Sequence, residues 1–106
     1  MSKAPEDCET KEDIRAEIDR LDGALIGLLA SRFGYVRRMA ELKASPDEAL
    51  VPARVDEVLA HVAARAGAAG LDPDLARALW SKLIDWNIAF ERDAIAKRTG
   101  EGTGGN

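Results

Sequence analysis

Residues 11–43 read KEDIRAEIDRLDGALIGLLASRFGYVRRMAELK, and this stretch decides the fold. Its apolar side chains fall at Ile14, Ile18, Leu21, Leu25 and Leu28, then at Tyr35, Met39 and Leu42. Steps of four and three residues keep one face of an α-helix apolar. Thr10 suits the N-cap, with Glu12 and Asp13 in a first turn where the helix dipole favours negative charge. The pattern runs almost unbroken to Lys43, and Ser45-Pro46-Asp47 then stops it. Such a helix would be about 50 Å long at 1.5 Å per residue. The rest of the chain is too short to cover it, so the heptad seam calls for a second copy of itself.

Two further helices follow. Pro52 suits a first helical turn, and Val55, Val58, Leu59 and Val62 continue it until Gly67 and Gly70. Asp72-Pro73 opens a third helix, with Leu75, Leu79, Leu83, Trp86 and Phe90 on one stripe, ending near Arg98 before Gly100. The expected fold is all-α: one long helix, one short and one medium, in an intertwined helical homodimer. Residues 1–9 are expected to be a flexible N-terminal segment, 10–99 the helical domain, and 100–106 a disordered tail.

The chain's 106 residues make one domain, and 46% apolar with 32% charged residues marks it as globular rather than disordered. A net charge of −4 without a basic, aromatic-interleaved patch argues against nucleic acid. Cys8 is the sole cysteine, so no intrachain disulfide forms, and a cytoplasmic setting fits. His61 is the sole histidine and has no ligand partner at helical spacing, so no metal is expected. No apolar run reaches the length of a membrane span, and residues 1–7 lack the apolar core of a signal peptide.

The informative residues are polar ones that interrupt apolar seams. Arg32 stands between Leu28 and Tyr35, where the first seam asks for an apolar side chain. An unpaired charge buried there is costly, so Arg32 needs an anion. Lys43 lies eleven residues on and returns to within about 20° of the same face. The third helix carries a matching interruption. Trp80, Ile84, Asn87, Glu91 and Ile95 share a stripe whose middle is polar. A simple interface salt bridge between Arg32 and Glu91 would explain two of these residues. Yet Arg15, Arg32, Lys43 and Arg54 together supply more positive charge than Glu91 balances. The surplus suits a ligand with two carboxylates, which arginine grips in a bidentate fork. Arg15 and Arg32 lie about 25 Å apart along a straight helix. One small metabolite touches both only if Arg15 comes from a second, antiparallel subunit.

The run from Ile14 to Asp22 (IRAEIDRLD), followed by Leu25, Leu28, Leu29 and Arg32, resembles the first helix of the all-helical chorismate mutases. The likeness continues through Lys43, Arg54 and Leu83 to Glu91 (LIDWNIAFE), and covers roughly residues 5–98. Pro5-Glu6-Asp7-Cys8, Tyr35-Val36 and Lys43-Ala44-Ser45 look like the branch that includes isochorismate-pyruvate lyase. The resemblance implies an interlocked dimer with two sites and no cofactor. It implies that Arg15 reaches a carboxylate from the partner subunit, that Arg32 and Arg54 bind carboxylate, and that Asn87 makes a polar substrate contact. Lys43 would touch a carboxylate and the ether oxygen. Glu91 stands where most members carry glutamine against that oxygen and some mutases carry glutamate. Val55 replaces the acidic residue often found after the Arg54 position, so the family's contact to the ring hydroxyl is missing there.

The implied reaction is the pericyclic rearrangement of chorismate to prephenate, which needs neither nucleophile nor metal. The protein would orient the enolpyruvyl arm and stabilise charge on the ether oxygen. In that scheme Glu91 donates to the oxygen only when it carries a proton. Isochorismate-pyruvate lyase, forming salicylate and pyruvate, is the nearest alternative, and an amino-substituted chorismate is another possible substrate. A non-catalytic helical dimer or regulatory homologue is the alternative of a different class. The surplus cations and the Asn87–Glu91 patch weigh against it.

Overall fold

The computed structural model describes residues 2–100. Among them the chain is all-α: α1 spans Lys11–Leu42, α2 Pro52–Ala69 and α3 Pro73–Thr99. Two short 3-10 turns, Pro5–Asp7 and Pro46–Ala49, precede α1 and α2. The expected tail at 101–106 lies outside the described residues. By contact density the chain divides into two units, Met1–Tyr35 and Val36–Asn106.

In the first unit the start of α1 is held by a reciprocal cap. The Thr10 Oγ1 accepts the Asp13 N–H at 3.0 Å, while Asp13 Oδ2 accepts the N–H groups of Glu9 and Thr10 at 3.0 and 3.3 Å. This is a capping box with aspartate in place of the usual glutamate. The Glu9 N–H, opposed by burial and helped by the Lys3 ammonium and the Thr10 N–H, holds the Asp13 carboxyl below its ordinary value. A depressed carboxyl contributes stability above its unfolded pKa and loses it as pH falls through the folded one. Thr10→Ala is expected to cost about 1 kcal/mol in thermal unfolding at neutral pH. Asp13→Asn is expected to flatten the acid side of the stability–pH curve, read by circular dichroism. Beyond the cap, the seam residues Ile14, Ile18, Leu21, Leu25 and Leu28 are about half exposed or more. An isolated helix gains little from propensity alone, so this face gains stability only when covered.

In the second unit, α2 and the turn Pro46–Ala49 pack on α3. The contact is built from small residues: Ala49, Ala63, Ala66 and Ala76 are buried, together with Ala40 in the last turns of α1. Among the described residues only Ile84 and Ile95 are large apolar residues inside, and Ile95 is fully enclosed. The α2–α3 corner is sharp. Gly70 adopts a left-handed φ of 83°, its N–H reaches Gly67 O, and the Leu71 N–H reaches Ala66 O at 2.8 Å. These paired bonds form a Schellman end that glycine adopts without a Cβ penalty. Asp72 Oδ1 then caps α3 by accepting the Asp74 N–H at 2.8 Å.

The two α3 stripes have opposite fates. Ile84, Asn87, Glu91 and Ile95 turn inward, whereas Leu75, Leu79 and Trp86 are exposed. The stripe with the polar interruption is therefore the more buried one, and the more apolar stripe is exposed at Leu75, Leu79 and Trp86 and half-buried at Leu83 and Phe90.

Candidate active site

Lys43 is the first residue beyond α1, and its N–H still closes on Met39 O at 3.0 Å. Its side chain turns to α3, where Nζ donates to Glu91 Oε1 at 2.7 Å. Both side chains are mostly withdrawn from water, 17% and 10% exposed respectively. That distance is typical of a charge-assisted hydrogen bond. In this contact Glu91 is the acceptor, and its partner is the lysine that the resemblance sets beside it at the ether oxygen.

Asn87 sits one turn before Glu91 and is equally buried. Ile84 and Ile95 flank the pair along the helix and are buried too. Among the described residues the Asn87 side chain makes no hydrogen bond of its own. Lys43, Asn87 and Glu91 thus share one polar patch inside an apolar surround, with spare donors on the ammonium and the amide.

Arg54 lies in the first turn of α2 and stays exposed. It pairs with Glu57 Oε1 at 2.5 Å, one turn along the same helix. The hydrogen bond from Arg54, and then its charge, hold the Glu57 carboxyl below its ordinary value. The structure therefore brings Lys43, Asn87 and Glu91 together but leaves Arg54 paired locally. Glu57, two residues past Val55, is itself occupied by Arg54. Arg15 is exposed in the first unit, 3.8 Å from Glu12. Arg32 is half-buried and forms no ion pair among the described residues.

One neighbour of Lys43 escaped the sequence. The Arg98 guanidinium reaches back to the end of α1, donating to Ala40 O at 3.2 Å and also to Lys43 O. No helical period links positions 40 and 98. The available hint was indirect: the last turn of α1 has no basic residue of its own to meet its carbonyls.

The sequence profile described as chorismate mutase type II matches residues 14–92, more than half of the chain. The chain belongs to the chorismate mutase type II family. The matched segment contains Arg15, Arg32, Lys43, Arg54, Asn87 and Glu91, and stops short of Arg98. The chain is also similar to an isochorismate pyruvate lyase of Pseudomonas aeruginosa, 38% identical over 87 residues. That alignment covers 82% of this chain and 86% of the relative. Membership in the chorismate mutase type II family implies a small-molecule substrate of the chorismate type. Among the described residues no helix is long and apolar enough to cross a membrane.

Proposed function

We propose that the protein is a chorismate mutase that rearranges chorismate to prephenate. The observation that carries this is the buried Lys43–Glu91 contact beside Asn87, inside the segment shared with the family. Chorismate bears two carboxylates and an enolpyruvyl ether. As the C–O bond breaks and the new C–C bond forms, negative charge grows on the ether oxygen. The Lys43 ammonium has three donors and gives one to Glu91. The others are available to the ether oxygen and a carboxylate. Glu91 fixes the direction of the ammonium, so the stabilising charge is already aimed before the reaction begins. Arg32 and Arg54 grip carboxylates, and Asn87 adds a neutral contact. No nucleophile, metal or cofactor enters the scheme.

In this proposal the working unit is an antiparallel homodimer in the cytoplasm. The uncovered seam from Ile14 to Leu28 supplies the apolar face, and Arg15 enters the partner's site. Two arginines about 25 Å apart on one helix cannot meet one metabolite in any other way.

Isochorismate-pyruvate lyase activity is the second proposal, favoured by the 38% identity to the Pseudomonas aeruginosa lyase. The same groups would hold isochorismate while a ring hydrogen moves to the departing enolpyruvyl carbon. Separate incubations with chorismate and isochorismate, resolved by liquid chromatography, distinguish the two. Prephenate from chorismate is the expected result. Salicylate with pyruvate from isochorismate, and no prephenate, would replace it with the lyase. Glu91→Gln keeps a polar partner for Lys43 and is expected to retain measurable turnover, whereas Glu91→Leu is expected to lose it.

A further inference from the structure

We infer that Arg98 is a positioning residue for Lys43, acting from outside the segment shared with the family. This inference rests on Lys43 being the functional lysine of the site.

Lys43 follows the end of α1, where a helix leaves its last carbonyls without intrahelical partners. The last turn of α1 contains no lysine, arginine or histidine to meet them. Arg98, near the end of α3, supplies the missing cation. One guanidinium nitrogen donates both to Ala40 O and to Lys43 O. The Lys43 carbonyl belongs to the peptide unit that joins Lys43 to Ala44. The opposite pole of that unit, the Ala44 N–H, donates to Glu48 Oε2 at 2.9 Å. The same oxygen takes the Ser45 N–H at 3.0 Å. A cation therefore holds the oxygen of this peptide and an anion holds its N–H. The peptide plane cannot rotate without breaking a charge-assisted bond at one end.

The consequence falls on the side chain. Lys43 has a flexible four-carbon stem, and its ammonium has to meet Glu91 at 2.7 Å. Fixing the backbone on both sides of its Cα removes much of the freedom that the stem would otherwise have. The carbonyl clamp and the ammonium contact both run to α3, through Arg98 and Glu91 two turns apart. Lys43 is thus gripped by one helix at both ends, backbone and tip. Arg98 touches neither the ammonium nor the Asn87 amide in this structure. Its effect on chemistry passes through the Lys43 backbone.

The test uses the full-length protein with Arg98→Gln and Arg98→Lys, and two readouts. The first is steady-state kinetics on chorismate and on isochorismate. Arg98→Gln is expected to lower kcat about tenfold or more, because small misplacements of a reacting group are amplified in rate. KM should stay within about twofold, since on this inference Arg98 acts through the Lys43 backbone and not on the substrate. Arg98→Lys keeps one charged donor and should recover part of the loss. The second readout is nitrogen-15 NMR of the lysine ammonium groups. The enclosed Lys43 ammonium should give a slowly exchanging signal, assigned by its loss in Lys43→Met, that broadens or vanishes in Arg98→Gln. If that signal is unchanged in Arg98→Gln and turnover stays within twofold, the inference fails. If the parent turns over neither substrate yet the signal still disappears, the positioning role stands and the proposed activity falls. Should Arg98→Gln not fold, Arg98→Lys carries both comparisons, and an unperturbed signal with parental kcat in that variant overturns the inference.

Discussion

Lys43→Met is expected to lower turnover by about a hundred- to a thousandfold, the range seen when one preorganised donor is removed from developing oxyanion charge. The methionine keeps the length and apolar character of the stem, so packing along it changes little. What disappears is the ammonium at 2.7 Å from Glu91. That loss has a second effect. Glu91 is 10% exposed at its side chain and would be left without its cation. Removing one partner of a mostly buried pair costs about 3 kcal/mol or more, because the other charge is stranded. Lys43→Met should therefore both inactivate and destabilise. Adding Glu91→Gln replaces the stranded charge with a neutral amide, which should return most of the stability and none of the activity. Thermal unfolding and turnover, measured on the single and double variants, separate the effects. A single variant with turnover within tenfold of the parent would remove Lys43 from the chemistry.

Mixing two inactive variants should restore activity. Arg15→Ala and Arg32→Ala are each expected to be folded and nearly inactive, since each lacks one carboxylate clamp. In an antiparallel dimer with Arg15 entering the partner's site, a heterodimer of the two carries one intact site and one doubly defective site. Random re-pairing makes half the dimers heterodimers, so the mixture should recover roughly a quarter of the parent's activity. If Arg15 and Arg32 served the same site from one chain, every site in the mixture would lack one arginine and nothing would return. The experiment therefore tests the dimer, the trans arrangement and the role of both arginines together. Its physical basis is the seam from Ile14 to Leu28, which is uncovered in the single chain.

The helices themselves were legible because their signals are local. The four-three spacing of Ile14, Ile18, Leu21 and Leu25 specifies a period, and the Thr10 cap opens α1 one residue before Lys11. Gly70 and Gly100 end α2 and α3 at left-handed φ values of 83° and 80°. Pro46 stops α1, but the 3-10 turn that follows, tied by Glu48 to two N–H groups, was not anticipated beyond the break. A capping box spans only three residues, so Ser45 and Glu48 did carry that signal.

The candidate site divides along the same line. Asn87 and Glu91 stood out because they interrupt an apolar stripe of their own helix, and the structure buries both. Their period places them on one face. It cannot say which cation meets that face, because rotation of α3 against the end of α1 is set by packing. Spacing alone left Arg15, Arg32, Lys43 and Arg54 all as candidates, and the fold supplies Lys43, 48 residues away. Arg54 was grouped with the anion-binding residues, and its guanidinium pairs with Glu57 one turn along.

By itself, then, the sequence determined three helices, their ends, the seam that asks for a partner, and the family, since each rests on residues within a turn or on a matched pattern. The tertiary structure decided that Lys43 and Glu91 meet, that Asn87 stands beside them, and that Arg98 clamps the end of α1. The Lys43–Glu91 and Arg98–Ala40 contacts join residues 48 and 58 positions apart, and no helical period specifies them, because they depend on how the end of α1, with Ala40 buried, meets α3.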